Sequence, residues 1–320
     1  MHRQILLTGG TGSFGRAFTR QLLADGDDVT IRIYSRDELK QYEMTREFGN
    51  DPRLRFCIGD VRDRDRLARA MYGVEWVVHA AALKQVDLCE YNPAEAVKTN
   101  ILGSQNVIEA AIDAKVKRVV ALSTDKAVNP INLYGASKLC AEKLFVHGNA
   151  YAGPRDTRFA CVRYGNVLGS RGSVVPLFLK QAPSGVVTIT DMRMTRFWIS
   201  LAQAVDLVKL VLADMKAGEV FVPKIPSMRM TDLAHAVAPH AMVKEIGMRP
   251  GEKRHEMLLS SEESHRAREY PTHYVISRHV PRNDGRPLPE DFSYASDTNT
   301  QWLDVERLRD LVAELSRDAA

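Results

Sequence analysis

The chain has 320 residues, of which 45% are hydrophobic and 26% charged, and this ordinary globular composition excludes disorder over most of its length. Its net charge of +4 comes from 44 basic residues scattered among 40 acidic ones. Such scatter excludes a nucleic-acid-binding stripe and a polybasic membrane segment, and it suits an anionic small substrate.

Four cysteines lie far apart, without CxxC pairs or neighbouring histidines, so neither a disulfide framework nor a metal site is predicted. The N-terminus enters an apolar strand at once, which leaves no room for a signal peptide. No stretch approaches the roughly 20 apolar residues that span a bilayer. We therefore expect a cytoplasmic protein with neither membrane nor nucleic acid as a partner.

The first half alternates short apolar runs with amphipathic stretches, the pattern of βα units that build a parallel sheet with helices on both faces. Helical spacing of apolar residues indicates helices such as 15–25, 64–72 and 100–114. The predicted strands are residues 4–8, 29–34, 54–58, 76–79, 118–123 and 159–163.

From about Gly165 the alternation ends, and prolines punctuate shorter elements. Residues 201–215 return to helical spacing and should pack back on the large domain, and a last helix is expected at 305–315. The predicted fold class is α/β, a Rossmann-like doubly wound parallel sheet with a smaller C-terminal substrate-binding domain. Its predicted divisions are 1–164 for the Rossmann domain, 165–280 mainly for the substrate domain, with some segments packing back on the first, and 281–320 for a tail.

A glycine-rich motif, TGGTGSFG at residues 8–15, follows the first strand and opens the first helix. In that context glycines allow a tight turn and a close approach of the backbone to a pyrophosphate at the helix N-terminus. The alternative is a glycine-rich turn without a ligand. The cofactor-binding residues predicted here are Gly9, Thr11, Gly12, Ser13, Phe14 and Gly15.

The end of the second strand bears on the choice of nicotinamide cofactor. Arg36, with Lys40 one helical turn on, could neutralise a 2′-phosphate and favours NADP, whereas Asp37 keeps NAD open because its carboxylate could reach the ribose hydroxyls. Both cations could instead belong to a solvated helix start. Further cofactor contacts are predicted after this strand and the next two, at Ser35, Asp60, Val61, Ala80, Ala81 and Ala82.

Tyr134 and Lys138 are four residues apart on a predicted helix and share one face. The ammonium should therefore approach both the phenol and the cofactor ribose and lower the phenol pKa towards neutrality. Upstream, Thr124, Asp125 and Lys126 follow the fifth strand at the ligand-binding edge of the sheet. Thr124 can bind a substrate hydroxyl, and the other two can serve as a general acid and a general base, which favours an elimination. A simple loop ion pair, or Asp125 as a turn cap, is the alternative.

These motifs resemble the inverting UDP-N-acetylglucosamine 4,6-dehydratases of the extended short-chain dehydrogenase/reductase family. The resemblance covers the chain to about residue 280. Ser137 departs from the threonine of many relatives, and the tail carries no motif that can be interpreted. The matching segments are TGGTGSFG at 8–15, YSRDELKQ at 34–41, HAAALKQV at 79–86, STDKAVNPINLYGASK at 123–138, MTRFW at 194–198 and RPGEK at 249–253.

The resemblance implies that Tyr134 takes the proton of the C4 hydroxyl as hydride passes to a tightly bound, recycled NADP. Lys126 would then abstract the C5 proton while Asp125 protonates the departing C6 hydroxyl, and hydride would return to C6 with inversion at C5. It also implies that Asn100 orients the catalytic helix and that the protein forms a homo-oligomer, a dimer or a hexamer. The UDP-sugar contacts that it implies are Lys84, Asn166, Arg196, Arg249 and Glu252.

Other functions on the same fold stay open at this point. Epimerases generally lack the acid and base pair, and retaining dehydratases usually have Asp-Glu after the threonine, so Asp125-Lys126 favours inversion. A 5,6-dehydratase would stop before hydride returns. A catalytically silent NADP sensor or scaffold is disfavoured because both Tyr134 and Lys138 are present.

Overall fold

A computed structural model describes residues 2–26, 28–153, 156–169 and 174–318. In its first half short buried strands alternate with amphipathic helices, as the hydrophobic pattern predicts. The strands are β1 Arg3–Thr8, β2 Val29–Ser35, β3 Leu54–Ile58, β4 Trp76–His79, β5 Arg118–Leu122 and β6 Arg158–Val162. The helices are α1 Ser13–Ala24, α2 Glu38–Glu47, α3 Arg64–Met71, α4 Val86–Tyr91, α5 Pro93–Ala96, α6 Gly103–Asp113 and α7 Leu133–Ala152.

These strands form a parallel sheet in the order β3-β2-β1-β4-β5-β6. The chain runs outward from β1 in one direction and from β4 in the other, so the loops after β1 and β4 diverge and leave a crevice at their carboxyl ends. The predicted α/β Rossmann-like fold class is confirmed, and its strands lie within one residue of the predicted bounds.

One predicted helix has a different geometry at its start. The pattern predicts a continuous α-helix over 100–114, but Val97–Leu102 forms a π-helical turn that leads into α6. Asn100, inside this turn, donates from Nδ2 to the Leu83 carbonyl and to Ser137 Oγ, each at 2.9 Å. The wider turn therefore accompanies a buried side chain that ties α7 to the loop after β4.

The second half contributes shorter elements to both the main sheet and a second layer. The strands are β7 Asn166–Val167, β8 Val186–Ile189, β9 Thr195–Ile199, β10 Glu219–Pro223, β11 Ser227–Arg229, β12 Met242–Glu245, β13 Met257–Leu259, β14 Ala267–Glu269, β15 His273–Ile276, β16 Arg286–Pro287 and β17 Tyr294–Ala295. The helices are α8 Val174–Gln181, α9 Leu201–Asp214, α10 Met230–Val237, α11 Ser261–Ser264 and α12 Val305–Asp318.

The main sheet extends well beyond residue 164. β10 pairs parallel with β6, and β15, β14 and β16 follow in antiparallel order, which makes a ten-stranded sheet. Without them β6 would be an open edge, and an unpaired edge exposes backbone hydrogen-bonding groups. Helix α9 packs on the large domain, as predicted: Gln21 of α1 donates to Asp206 of α9 at 2.5 Å.

A second hydrophobic core lies outside the sheet. Phe178 of α8, Val187 of β8 and Leu233 of α10 are buried in it together with Leu308 and Val312 of α12. The segment 281–320, expected to be a tail, therefore contributes β16 to the main sheet and α12 to the smaller core.

Arg163, at the end of β6, is buried between two carboxylates. Its Nη2 lies 2.5 Å from Glu142 Oε1 on α7, and its Nη1 lies 2.8 Å from Glu263 Oε2 on α11. Glu142 also accepts a hydrogen bond from Ser123 Oγ at 2.8 Å. A buried ion stays charged only where its partners satisfy it, so this triad fixes α7 against the sheet and against a segment from the second half.

Arg163→Met should lower the free energy of unfolding by about 3–5 kcal/mol, because two buried carboxylates lose their cation. The measurement is equilibrium unfolding in urea, and the double variant Glu142→Gln/Arg163→Met should lose less than the single one. As a control, Arg158→Gln removes an exposed ion pair with Asp156 and should cost less than about 1 kcal/mol. Equal losses for Arg163→Met and the control would contradict the structural role of the triad.

Candidate active site

A cavity of about 410 Å³ opens where the chain reverses direction in the sheet. Nine predicted cofactor residues line it: Gly9, Thr11, Ser35, Arg36, Lys40, Asp60, Val61, Ala81 and Ala82. Its wall also contains Tyr34, Asp37, Gly59 and Thr99. The other predicted cofactor residues, Gly12, Ser13, Phe14, Gly15, Ala80, Tyr134 and Lys138, lie outside this wall.

Gly9 shows why the turn after β1 needs glycine. Its φ is +66°, and a Cβ there would lie 2.8 Å from the backbone nitrogen of Ala81. The turn can therefore pack directly against the loop after β4. Helix α1 begins after Gly12, which has no side chain to cap it, and the start of a helix carries the positive end of the helix dipole. The Phe14 ring stacks on Phe18 within the core, so its side chain serves packing.

Arg36 and Asp37 are engaged differently at the mouth of the cavity. The Asp37 carboxylate accepts the Lys40 backbone N–H at 3.0 Å as the N-cap of α2 and pairs with Lys40 Nζ at 2.5 Å, and the side-chain hydrogen bond with Lys40 lowers its pKa. The Arg36 guanidinium is half-exposed, with one contact of 3.5 Å to Asp60. The Asp60 carboxylate is also held by Arg62 at 2.7 Å.

The predicted acid and base form a buried pair. Lys126 Nζ lies 3.0 Å from Asp125 Oδ1, which also accepts a hydrogen bond from Thr124 Oγ1 at 2.9 Å. Burial by itself would lower the pKa of the Lys126 ammonium, but the carboxylates of Asp125 and Glu256 outweigh it and raise that pKa above its usual range. Lys126 is therefore an ammonium in the resting protein.

Tyr134 and Lys138 both lie on α7, but the expected effect on the phenol is wrong for this structure. Burial raises the pKa of Tyr134 to about 12, against smaller lowering effects of the Lys126 ammonium and of a hydrogen bond with Thr124. Lys138 Nζ donates instead to the Leu122 carbonyl at 2.6 Å. Burial lowers the pKa of Lys138 itself to about 8.

Gly135 explains how helix α7 packs against the catalytic turn, the turn of residues 124–127 that carries the predicted acid and base. A Cβ at this position would lie 2.2 Å from the Lys126 carbonyl oxygen, so no other residue fits without a backbone shift. Asn132 caps the helix by accepting the Gly135 N–H at 2.7 Å, and its Nδ2 donates to the Gly251 carbonyl at 2.7 Å. The start of α7 is thus fixed to both the catalytic turn and the segment 249–256.

The structure brings two of the predicted substrate residues to the catalytic pair. Asn166 Oδ1 accepts from Lys126 Nζ at 3.4 Å. Arg196 is buried and donates to the backbone carbonyls of Thr195, Lys253 and Arg254 at 2.7–2.9 Å. The N–H groups of Arg196, which the resemblance assigns to the UDP-sugar, therefore hold the segment 253–254 in this structure.

The other predicted substrate residues lie at the surface of this segment or beyond it. Glu252 Oε1 is 3.8 Å from Arg196 Nη2, and Arg249 is half-exposed, with Nη1 3.7 Å from Asp87 Oδ2. Lys84 occupies an exposed position on the loop before α4.

Sequence reasoning missed Glu256, a buried carboxylate whose Oε1 lies 3.4 Å from Lys126 Nζ. It is a single acidic residue just beyond the RPGEK segment, and only the docking of that segment on the catalytic turn reveals it. His79, at the end of β4, is buried beneath the crevice. Its Nδ1 lies 2.8 Å from Thr8 Oγ1, and burial lowers its pKa to about 3, so it is neutral.

Comparison with known proteins decides the family. Residues 5–278 match the family described as "Polysaccharide biosynthesis protein". The chain belongs to this family. A curated relative from Campylobacter jejuni serotype O:2, named UDP-N-acetylglucosamine 4,6-dehydratase (inverting), is 51% identical over 97% of this chain and 97% of its own. The resemblance to inverting dehydratases is thereby confirmed. A relative from Rickettsia conorii, named UDP-glucose 4-epimerase, is 43% identical over 98% of this chain and 96% of its own.

Solved structures agree with the fold of this family member. The X-ray structure of Pen from Bacillus thuringiensis is 39% identical, with a TM-score of 0.89 and 98% of both chains covered. DesIV from Streptomyces venezuelae, a dTDP-glucose 4,6-dehydratase solved with NAD and TYD bound, is 27% identical, with a TM-score of 0.71 over 78% of this chain and 86% of its own.

The described residues contain neither a metal-binding cluster nor a membrane-spanning helix. Among residues 2–26, 28–153, 156–169 and 174–318, no group of three or more histidine, cysteine or acidic side chains could hold a metal ion. Within the same ranges, each helix is too short or too polar to cross a membrane.

The lowered pKa of Lys138 predicts a pH-dependent stability. Between pH 8 and the unfolded-state pKa of about 10.4, the unfolded chain binds more protons at this residue, so its contribution to stability rises with pH. The difference in unfolding free energy between wild type and Lys138→Met should shift in favour of the wild type by about 3 kcal/mol across this window. Urea unfolding at pH 7.5, 9 and 10.5 measures it. Lys143→Met, at an exposed position on the same helix, is the control and should leave the pH dependence of the wild type in place.

Proposed function

We propose that the protein is an inverting UDP-N-acetylglucosamine 4,6-dehydratase that works with tightly bound NADP. The observation that carries this proposal is the buried pair of Asp125 and Lys126, joined at 3.0 Å next to Tyr134. Hydride transfer alone needs no such acid and base, whereas elimination of water needs both. The name of the Campylobacter relative supports the same substrate.

The cavity that opens where the chain reverses direction in the sheet has the features that a dinucleotide requires. Gly9 lets the backbone approach, and the start of α1 after Gly12 carries the positive end of a helix dipole, which suits a pyrophosphate. Arg36 and Lys40 stand at the mouth, where a 2′-phosphate would meet them, and Asp37 is committed to capping α2. These features favour NADP over the NAD found with DesIV. When bound, the nicotinamide would accept a hydride from C4 of the sugar and return it to C6.

Tyr134 is proposed to take the proton of the C4 hydroxyl, with Thr124 hydrogen-bonded to the same phenol. Its pKa of about 12 already includes the lowering effects of the Lys126 ammonium and the Thr124 side chain, so the step needs a further fall when cofactor and substrate bind. Asn100 and Ser137 fix the position of the Tyr134 backbone. Ser137 Oγ donates to the Tyr134 carbonyl at 2.8 Å and accepts a hydrogen bond from Asn100 Nδ2.

Asp125 and Lys126 share one proton for the elimination. At rest the proton lies on Lys126 Nζ, and its transfer to Asp125 over 3.0 Å makes Lys126 a neutral base and Asp125 a neutral acid. Lys126 then takes the C5 proton, which the adjacent C4 ketone acidifies, while Asp125 gives its proton to the C6 hydroxyl and water leaves. After the elimination the pair is again an ammonium and a carboxylate. As hydride returns to C6, C5 takes a proton from solvent on its opposite face, and this is balanced by the proton that Tyr134 took from the C4 hydroxyl, which leaves to solvent.

The substrate contacts remain proposals. Asn166 lies at the catalytic pair and would bind the diphosphate, and the half-exposed Arg249 is the side chain that can turn towards phosphate oxygens. Arg196 would act mainly by holding the backbone of residues 253–254. Glu252 would accept from the uridine ribose, and Lys84 would contact the sugar. A cytoplasmic location and a homo-oligomer, dimer or hexamer, also stay predictions.

Purified protein given UDP-N-acetylglucosamine without added reductant should form a UDP-4-keto-6-deoxy-L-hexosamine. Proton NMR in deuterium oxide should show a new C6 methyl signal and loss of the C5 proton signal, because C5 is deprotonated and reprotonated during the reaction. A product with inverted C4 and no methyl signal would show a 4-epimerase, the activity named for the Rickettsia relatives. A methyl product with retained C5 configuration would show a retaining dehydratase, and a product that keeps the 5,6-double bond would show a 5,6-dehydratase.

Lys126→Ala is the matched variant for this assay. It should abolish the methyl signal and the exchange at C5 while leaving cofactor affinity within about twofold, since Lys126 lies outside the cavity wall. Retained turnover in this variant would mean that another residue is the base.

Arg36→Ala should weaken NADP binding about tenfold or more and leave NAD binding nearly unchanged, because a charge-assisted contact to the 2′-phosphate is lost. Isothermal titration with both cofactors measures the ratio. Arg55→Ala, at an exposed arginine on β3 outside the cavity wall, is the control. An unchanged preference in Arg36→Ala would remove this residue from the cofactor assignment.

A further inference from the structure

Glu256 lies at the junction between the catalytic pair and the segment 249–256. Its Oε1 is 3.4 Å from Lys126 Nζ and 3.9 Å from Arg196 Nε, and its Oε2 is 4.0 Å from Lys253 Nζ. Its side chain is 2% exposed. A carboxylate so deeply buried is costly unless cations satisfy it, so its position depends on these three contacts.

The backbone of Glu256 is held as firmly as its side chain. Its N–H donates to Ser296 Oγ at 2.9 Å, and its carbonyl accepts the Ser296 N–H at 2.8 Å. The segment beyond residue 281 therefore fixes the carboxylate relative to Lys126. Two carboxylate oxygens here, Asp125 Oδ2 and Glu256 Oε2, are buried without a hydrogen bond among the described residues, so the cluster has acceptor capacity to spare for an ammonium that moves during catalysis.

We propose that Glu256 is a positioning residue that holds Lys126 for the elimination and couples it to the segment 249–256, which carries the proposed UDP contacts. This inference rests on the proposed function, because it assigns Glu256 a part in that reaction. Asp125 exchanges the proton with Lys126, whereas Glu256 takes no part in that exchange and orients Nζ.

The Glu256 carboxylate should extend the pH range of activity on the alkaline side. The elimination needs one proton on the Asp125 and Lys126 pair, so activity ends at the pH where Lys126 loses that proton to solvent. The carboxylates of Asp125 and Glu256 raise the pKa of Lys126 and so move this proton loss to higher pH. The Arg196 cation lowers that pKa, and Lys253 acts in the same direction because it pairs with Glu256. Tyr134 on α7 also faces this ammonium. Removing the charge at Glu256 should therefore move the alkaline limit to lower pH.

The test compares kcat and KM for UDP-N-acetylglucosamine between pH 6 and 11 in wild type and in Glu256→Gln. We expect a fall in kcat at pH 7 of about tenfold with KM nearly unchanged. In the wild type the pKa of Lys126 lies above its usual range, so this group should cause no loss of kcat up to pH 11, whereas in Glu256→Gln its alkaline limit, lowered by about 1–3 pH units, should appear as an extra loss of kcat relative to the wild type near the top of this range. Glu252→Gln is the contrast: it removes a carboxylate near Arg196 but not near Lys126, and it should raise KM without moving the alkaline limit. A purely structural role of Glu256 would lower activity at every pH and leave the limit in place, and this result would overturn the inference.

Glu256→Asp keeps the charge one methylene further back, so it should lower kcat less than Glu256→Gln and keep the wild-type alkaline limit. If Glu256→Gln does not fold, as judged by its melting temperature and NADP binding, a wild-type kcat in Glu256→Asp would overturn the inference. Wild-type protein that forms no 4-keto-6-deoxy product would remove the proposed function and this inference with it. Product from the wild type, together with an unmoved alkaline limit in Glu256→Gln, would remove the inference alone.

Discussion

The burial of the Arg163 guanidinium is the constraint on which the geometry of the site depends. A buried cation cannot be left without its counter-ions, and here they come from α7 on one side and α11 on the other. Helix α7 is thereby fixed to the end of β6, and the segment that leads through Glu256 to β13 is drawn over the catalytic turn. Tyr134, Lys126 and Glu256, from three separate parts of the chain, meet because this one ion pair network closes.

The buried titratable groups near this ion pair network differ in whether a counter-ion accompanies them, and their pKa values differ accordingly. Buried groups without counter-ions are kept neutral, as with His79 under the crevice, or have a weakened hold on their proton, as with Lys138. Lys126 is the opposite case, since two carboxylates keep it charged in a dry environment. In the proposed elimination, such a site moves the first proton within a preformed pair, and solvent is needed only for the proton that C5 regains afterwards.

Local pattern was enough to predict the six central strands, the glycine turn and the placement of Asp125-Lys126 at the carboxyl edge, because each depends on a few neighbouring residues. The short strands β14 and β16 carry polar residues and owe their existence to the open edge that they cover, which no local pattern encodes. Glu256 and Arg163 were missed for a related reason: a single charged residue has no periodicity, and its burial is decided by segments 100 residues or more away. The pKa of Tyr134 was mispredicted because spacing gives proximity to Lys138 but not the cost of burying the phenol, nor the carbonyl that Lys138 prefers.

The late elements of the chain also set the order in which it can fold during synthesis. The βα units of the first half can pair as they emerge, since their contacts are sequential. The edge of the sheet, however, cannot be completed until Arg286–Pro287 has been made, and the smaller core cannot be completed before Leu308 and Val312. A nascent chain halted before these residues would display an unpaired strand edge and an open apolar surface, both of which chaperones and proteases recognise. Ser296 can bind the backbone of Glu256 only once this late part of the chain has been made. The cluster of Asp125, Lys126 and Glu256 is therefore among the last parts of the molecule to form.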